Sequence, residues 1–167
     1  MIFEFSTVPR FTLLDIKGDI RAAERFAAAF GLTLPATTNS RASAGDSEIY
    51  HIGDSHWILR APPQAEDQLP SICGPESPPD LLVQPVSDTW AIYRLSGTDK
   101  DGVLSVCTSL DINALPENAA TFTEILGEKA LIISRPEGYE FLFENSYSAF
   151  MEDHFSRISN HMPTRQD

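Results

Sequence analysis

Long apolar runs are missing from this 167-residue chain: no stretch approaches the roughly 20 consecutive residues a membrane-spanning helix needs. Basic residues are few, 12 Lys and Arg against 24 Asp and Glu, and they are scattered from Arg10 to Arg165 without a stripe. A surface built to neutralise nucleic-acid phosphates is therefore not expected. Cysteine is scarce. Cys73 and Cys107 are too few for a disulfide framework, and reduced thiols are the expected state. The phosphate-binding glycine signatures G-x-x-x-x-G-K-[ST] and G-x-G-x-x-G are absent, as are the H-E-x-x-H zinc motif and the G-x-S-x-G nucleophile elbow. The opening MIFEFSTVPRF has no basic segment leading into an apolar run with a small-residue cleavage site, so a cytoplasmic location is expected.

What is present is enough apolar material, 42% of residues, to fill the core of one medium domain or two small ones. FTLLDI (Phe11 to Ile16) reads as a strand ended by Lys17-Gly18. Asp19 then stands at a helix N-cap, with Ile20, Ala23, Ala27 and Phe30 at helical spacing before Gly31. The stretch Thr33 to Asp46 has no periodicity and reads as a loop. Glu48 to Ile52 and His56 to Arg60 flank Gly53-Asp54-Ser55 as a hairpin. Residues Ala61 to Asp80 hold six of the 12 prolines and four acids without a base, which excludes a continuous helix or central strand.

Beyond this segment, Leu81 to Val86, Trp90 to Leu95, Phe122 to Leu126, Lys129 to Ser134 and Tyr139 to Glu144 read as strands. A helix near Thr98 to Leu110 interrupts them, and a last helix from about Ser146 to Ile158 carries Tyr147, Phe150, Met151, Phe155 and Ile158 on one face. This order indicates an α+β protein: two ferredoxin-like halves in which helices pack on one face of antiparallel sheet. The expected boundaries are 1–80 for the first half, with a proline-rich linker at 61–80, then 81–159 for the second half and a flexible tail at 160–167.

Each candidate for chemistry has a structural account beside it. In SGTDKDGVLSVCTSLDI (Ser96 to Ile112), Thr98 reads as an N-cap that Asp101 answers, and Val103, Leu104, Cys107 and Leu110 read as a buried stripe. Cys107 has no cationic neighbour in sequence to activate it, and Cys73 reads as an exposed thiol in the linker. His51, His56 and Asp54 around the hairpin make a minimal metal-ligand set, to which only His154 and His161, far along the chain, could be added. Trp57 and Trp90 fit strand cores or an interface edge. No catalytic, cofactor-binding or metal-binding residue is assigned.

Several stretches taken in order resemble the gamma subunit of heterotetrameric sarcosine oxidase. They are GLTLP (Gly31 to Pro35), IGDSHWIL (Ile52 to Leu59), VSDTWAIYRLSGTDKDGVLSVCTSLDI (Val86 to Ile112), and R-P-x-x-Y-E-x-x-x-x-x-S-Y from Arg135 to Tyr147. That family in turn resembles the folate-binding aminomethyltransferases of glycine cleavage, where V-S-D followed by L-S-G opens a sheet-helix unit, as Val86 to Asp88 and Leu95 to Gly97 do here. The resemblance implies a small non-catalytic subunit packed on a large alpha subunit, with beta and delta subunits in the same assembly. It implies FAD, FMN, NAD, zinc and tetrahydrofolate held by those partners and none on this chain. The reaction implied is oxidative demethylation of sarcosine or a related N-methyl amino acid, with the one-carbon unit passing to tetrahydrofolate. A stand-alone tetrahydrofolate-binding one-carbon transfer protein is the alternative, with Asp88 or Asp111 as the acids able to hold a pterin. Ala61 to Asp80 departs from the alanine-rich helical connector expected of the family.

Overall fold

In the computed structural model, which describes residues 3–74 and 79–161, the chain forms two compact α+β units. One runs from Arg10 to Ser87. The other joins the residues up to Pro9 to those from Asp88 onward.

The Arg10–Ser87 unit contains β2 (Thr12–Gly18), α1 (Ile20–Ala28), the meander β3 (Ser40–Ala44), β4 (Ser47–Gly53) and β5 (His56–Ala61), the short helix α2 (Leu69–Ile72), and β6 (Leu81–Pro85). Its antiparallel sheet has the order β3-β4-β5-β2-β6. The other unit contains β1 (Phe3–Thr7), β7 (Trp90–Gly97), α3 (Lys100–Ser105), the meander β8 (Ala120–Ile125), β9 (Glu128–Arg135) and β10 (Gly138–Glu144), and α4 (Ser148–His161), with the sheet order β8-β9-β10-β7-β1.

The two units share one topology. Each has a central strand, a helix, a three-stranded meander, a helical segment and a fifth strand that pairs antiparallel with the first. In one unit the fifth strand, β6, follows in sequence; in the other the N-terminal β1 takes that place, so the second copy is circularly permuted. Local chemistry repeats too. β2 and β7 both end on a glycine of positive φ, Gly18 at 141° and Gly97 at 106°, paired with the first residue of the fifth strand, Leu81 or Phe3. An aspartate, Asp19 or Asp99, then occupies the helix N-cap.

Packing explains the element choices. Leu14, Ile16, Trp57 and Leu59 pack under Ala22, Ala23 and Ala27 of α1 in the first core. Tyr93, Leu95, Ile132, Phe141 and Phe143 pack with Val103, Leu104, Met151 and Phe155 in the other. Leu131, Ile133 and Leu142, which alternate with these along β9 and β10, are buried as well, so Ala130 to Ile133 and Phe141 to Phe143 read as continuous apolar runs. Asp19 caps α1 as expected, its carboxylate accepting from the Arg21 and Ala22 N–H groups at 3.0 Å.

Several expectations are corrected. Leu81 does not open the second half: β6 pairs with β2, and the division falls between Ser87 and Asp88. The proline-rich stretch is a crossover inside one unit rather than a linker between two. A 3₁₀ turn at Pro63–Gln68 and then α2 place Ala65, Leu69 and Ile72 on the core, and the Thr12 hydroxyl donates to the Pro62 carbonyl. Proline is tolerated there because the first turn of a helix needs no N–H donor. The expected loop at Thr33 to Asp46 contains β3, whose small residues lack an apolar alternation, and the N-terminal β1 also went unread. Ile20, Tyr147 and Phe150 are exposed rather than on the buried stripes. The last helix reaches His161, inside the expected tail, whose remainder lies outside the described residues.

Gly138 is a steric requirement, since a Cβ there would overlap the carbonyl oxygen of Leu95 on the neighbouring β7. At Gly127, φ is also positive but no atom stands within 4 Å of such a Cβ. Denaturant unfolding should therefore separate them: Gly138→Ala costs about 3 kcal/mol or more, whereas Gly127→Ala costs about 1 kcal/mol, the penalty of the backbone conformation alone.

Candidate functional site

The residues weighed for chemistry scatter. His51 and His56 lie on opposite faces of the sheet. His51 stacks on the buried Trp57 at 5.4 Å between ring centroids, while Nε2 of His56 lies 2.5 Å from Oδ1 of Asp15 on β2, which Lys17 also contacts at 3.2 Å. His56 precedes Trp57 on β5, so the alternation of strand side chains forces this divergence. No group of three or more His, Cys, Asp or Glu side chains that could hold a metal occurs among the described residues. His154 tilts against Phe150 on the outside of α4, and the His161 side chain lies outside the described residues.

The opening of α3 also differs from expectation. Asp99, not Thr98, is the N-cap, and it makes no side-chain cap bond. Asp101 instead accepts the Tyr139 hydroxyl at 2.7 Å, tying α3 to β10. The helix ends at Ser105, so Cys107 follows it, buried, with its thiol donating to the Val103 carbonyl at 3.2 Å. Burial pushes the Cys107 thiol up to about 11, which removes the thiolate a nucleophile requires. Cys73 is only half-exposed and packs against the first core. Trp57 is core, and Trp90 is half-buried against Phe122. Asp88 is exposed in a turn, and the Asp111 carboxylate accepts from the Asn113 N–H at 3.2 Å.

The site that the structure does assemble was overlooked in the sequence. Glu140 on β10 is buried to 1% exposure, and its Oε2 accepts from Nε and Nη2 of Arg135 at 2.9 and 2.6 Å. Its Oε1 accepts from Nη2 of Arg94 at 2.6 Å. Arg94 sits directly opposite Glu140 on β7, and Arg135 reaches over from the end of β9, so three adjacent strands meet at one carboxylate. All three side chains lie on the face turned away from Tyr93, Leu95 and Phe141 of the core. A cleft of about 290 Å³ opens beside them, lined by Arg94, Arg135, Pro136, Glu137 and Gly138. In the other unit Glu48 gathers Arg41 at 3.4 Å, Arg60 at 3.8 Å and the Tyr50 hydroxyl at 2.6 Å, which makes a second, partly buried carboxylate with two guanidinium partners. Arg135 and Glu140 are the first and last residues of R-P-x-x-Y-E, a spacing that places them on adjacent strands across a turn.

No protein-family model matches the chain, and no curated protein matches it. A chain of heterotetrameric sarcosine oxidase from Corynebacterium sp. U-96, solved in complex with pyrrole 2-carboxylate, superposes with a TM-score of 0.77 at 21% identity, over 97% of this chain and 88% of that one. This chain has the same fold. The glycine cleavage system aminomethyltransferase T from Bartonella henselae matches with a TM-score of 0.68 at 12% identity, over 90% of this chain but 44% of that one. The α+β architecture of two antiparallel five-stranded sheets is therefore the one found in a sarcosine oxidase chain and in part of an aminomethyltransferase. No helix among the described residues is long and apolar enough to cross a membrane.

Three measurements follow from the site. Glu140→Ala removes the buried carboxylate that Arg94 and Arg135 share, and should lower unfolding stability by about 3 kcal/mol. With Ellman's reagent at pH 8, Cys73 should react in the native protein while Cys107, still a neutral thiol, reacts only after denaturation. Burial and the Asp101 hydrogen bond hold the Tyr139 phenol above its usual 10.0. The folded state thus favours the neutral phenol, and the stabilisation is complete below pH 10 and lost as pH rises toward the folded value. Tyr139→Phe should cost about 1 kcal/mol at neutral pH and flatten the loss of stability above pH 10.

Proposed function

We propose that this chain is the gamma-type subunit of a sarcosine oxidase-like complex, a non-catalytic component that braces a large alpha subunit. The reaction served is the oxidative demethylation of sarcosine or a related N-methyl amino acid, with the one-carbon unit passing to tetrahydrofolate. The observation that carries this reading is the superposition on a chain of a heterotetrameric sarcosine oxidase, which takes in nearly all of both chains.

The residues support a bracing role. The cysteine that follows α3 is neutralised by burial, the histidines diverge, and Asp111 accepts from the Asn113 N–H of its own turn. FAD, FMN, NAD, zinc and tetrahydrofolate would then reside on partner subunits of alpha, beta and delta type, and a location in the cytoplasm follows from the same reading. Exposed apolar side chains fit a subunit: Phe150 is 47% and Val106 67% exposed.

Affinity purification of the tagged chain from its native host tests the proposal. Larger flavin-bearing chains should accompany it in fixed ratio. Repeated recovery of the chain alone under mild salt would overturn the reading. Calorimetric titration of the chain with tetrahydrofolate separates the stand-alone alternative, because low-micromolar binding would favour it over a bracing subunit.

A further inference from the structure

We infer that the cleft beside Glu140 is a binding site for a small carboxylate, with Arg94 as the group that recognises it. The inference stands on this chain's own residues, whether or not it belongs to a larger complex.

One buried carboxylate requires one cation for neutrality, and Arg135 already satisfies Glu140 with two N–H groups on a single oxygen. Arg94 is the surplus charge. It donates through Nη2 alone, and its remaining N–H groups have no partner among the described residues. The Arg94 side chain is 53% exposed, against 16% for Arg135, so its open donors are accessible from the cleft it lines. A guanidinium held at one nitrogen by an internal acid is orientated in advance, and its planar fork matches two carboxylate oxygens. Pinning removes part of the side-chain entropy that an exposed arginine would lose on binding.

The size of the cleft limits the ligand. About 290 Å³ lies below the usual range for drug-sized molecules and accommodates a carboxylate of amino-acid dimensions. Glu137, exposed at the turn, is the one acid among the lining residues. A ligand carrying an ammonium group next to its carboxylate can use both Arg94 and Glu137; one carrying the carboxylate alone uses Arg94. The chain's net charge of −12 opposes any anion, so binding is weak, in the millimolar range, and weakens further with salt.

The test is nuclear magnetic resonance titration of the ¹⁵N-labelled full chain with sodium acetate and, separately, glycine, at constant ionic strength with sodium chloride as reference. The backbone N–H groups of Arg135, Glu137 and Gly138 should shift and saturate with acetate but not with chloride. Arg94→Gln, at a half-exposed position that leaves the Arg135–Glu140 pair intact, should weaken acetate binding at least tenfold, and Arg94→Lys should weaken it by less. Saturation by glycine at lower concentration than acetate assigns Glu137 the ammonium. Equal affinities for the two leave a carboxylate site that Glu137 does not extend. Shifts that never saturate, that chloride reproduces, or that persist unchanged in Arg94→Gln would overturn the inference.

Discussion

The unit that contains the C-terminal half of the chain is closed by one aromatic stack. Phe5 of β1 lies 3.9 Å from Phe155 of α4 and 4.9 Å from Tyr93 of β7, centroid to centroid, with all three rings nearly parallel. Without β1, the outer edge of β7 would lose its antiparallel partner and the inner face of α4 would lose the ring that seals it. This constraint makes the first few residues of the chain part of a core whose other members begin some eighty positions later. It also fixes the topology, because it places the fifth strand of a repeated unit at the opposite end of the sequence.

That repetition accounts for much of the architecture. Gly18 and Gly97 break the central strands at equivalent places, and an aspartate follows each into a helix cap. The copies then diverge in what they bury. One cores itself with alanines of α1 around Trp57, the other with phenylalanines from β10 and α4. Each also sets a glutamate between two arginines, at non-equivalent strands, the partly buried Glu48 on β4 and the buried Glu140 on β10. Buried ion pairs of this kind are weak sources of net stability but costly to break, and such a cluster restricts the strand registers that can place its three members together.

Much of the fold was legible. The strand at Phe11 to Ile16, the Asp19 cap, the hairpin around Gly53 to Ser55 and the strands of the C-terminal meander follow from alternation, capping and turn chemistry, which act between neighbours in sequence. What was not legible has a common cause. β3 is Ser-Arg-Ala-Ser-Ala, and its place is set by pairing with β4 rather than by apolar alternation. Tyr147 and Phe150 have the helical spacing of core residues, yet the position of α4 turns Met151 and Phe155 inward and leaves those two outside.

The local chemistry of this protein was determined by the sequence alone: its α+β class, the Asp19 helix start, the hairpin turns, and the likeness to a sarcosine oxidase chain, which the shared fold supports. The tertiary structure alone decided which strands share a sheet, so that Phe3 to Thr7 joins Trp90 to Gly97 and Leu81 joins Gly18. It alone brought Arg94, Arg135 and Glu140 to one point. The physical reason is that pairing between strands distant in the chain depends on hydrogen-bond register and on burial summed over the whole sheet, and no short window of sequence carries either.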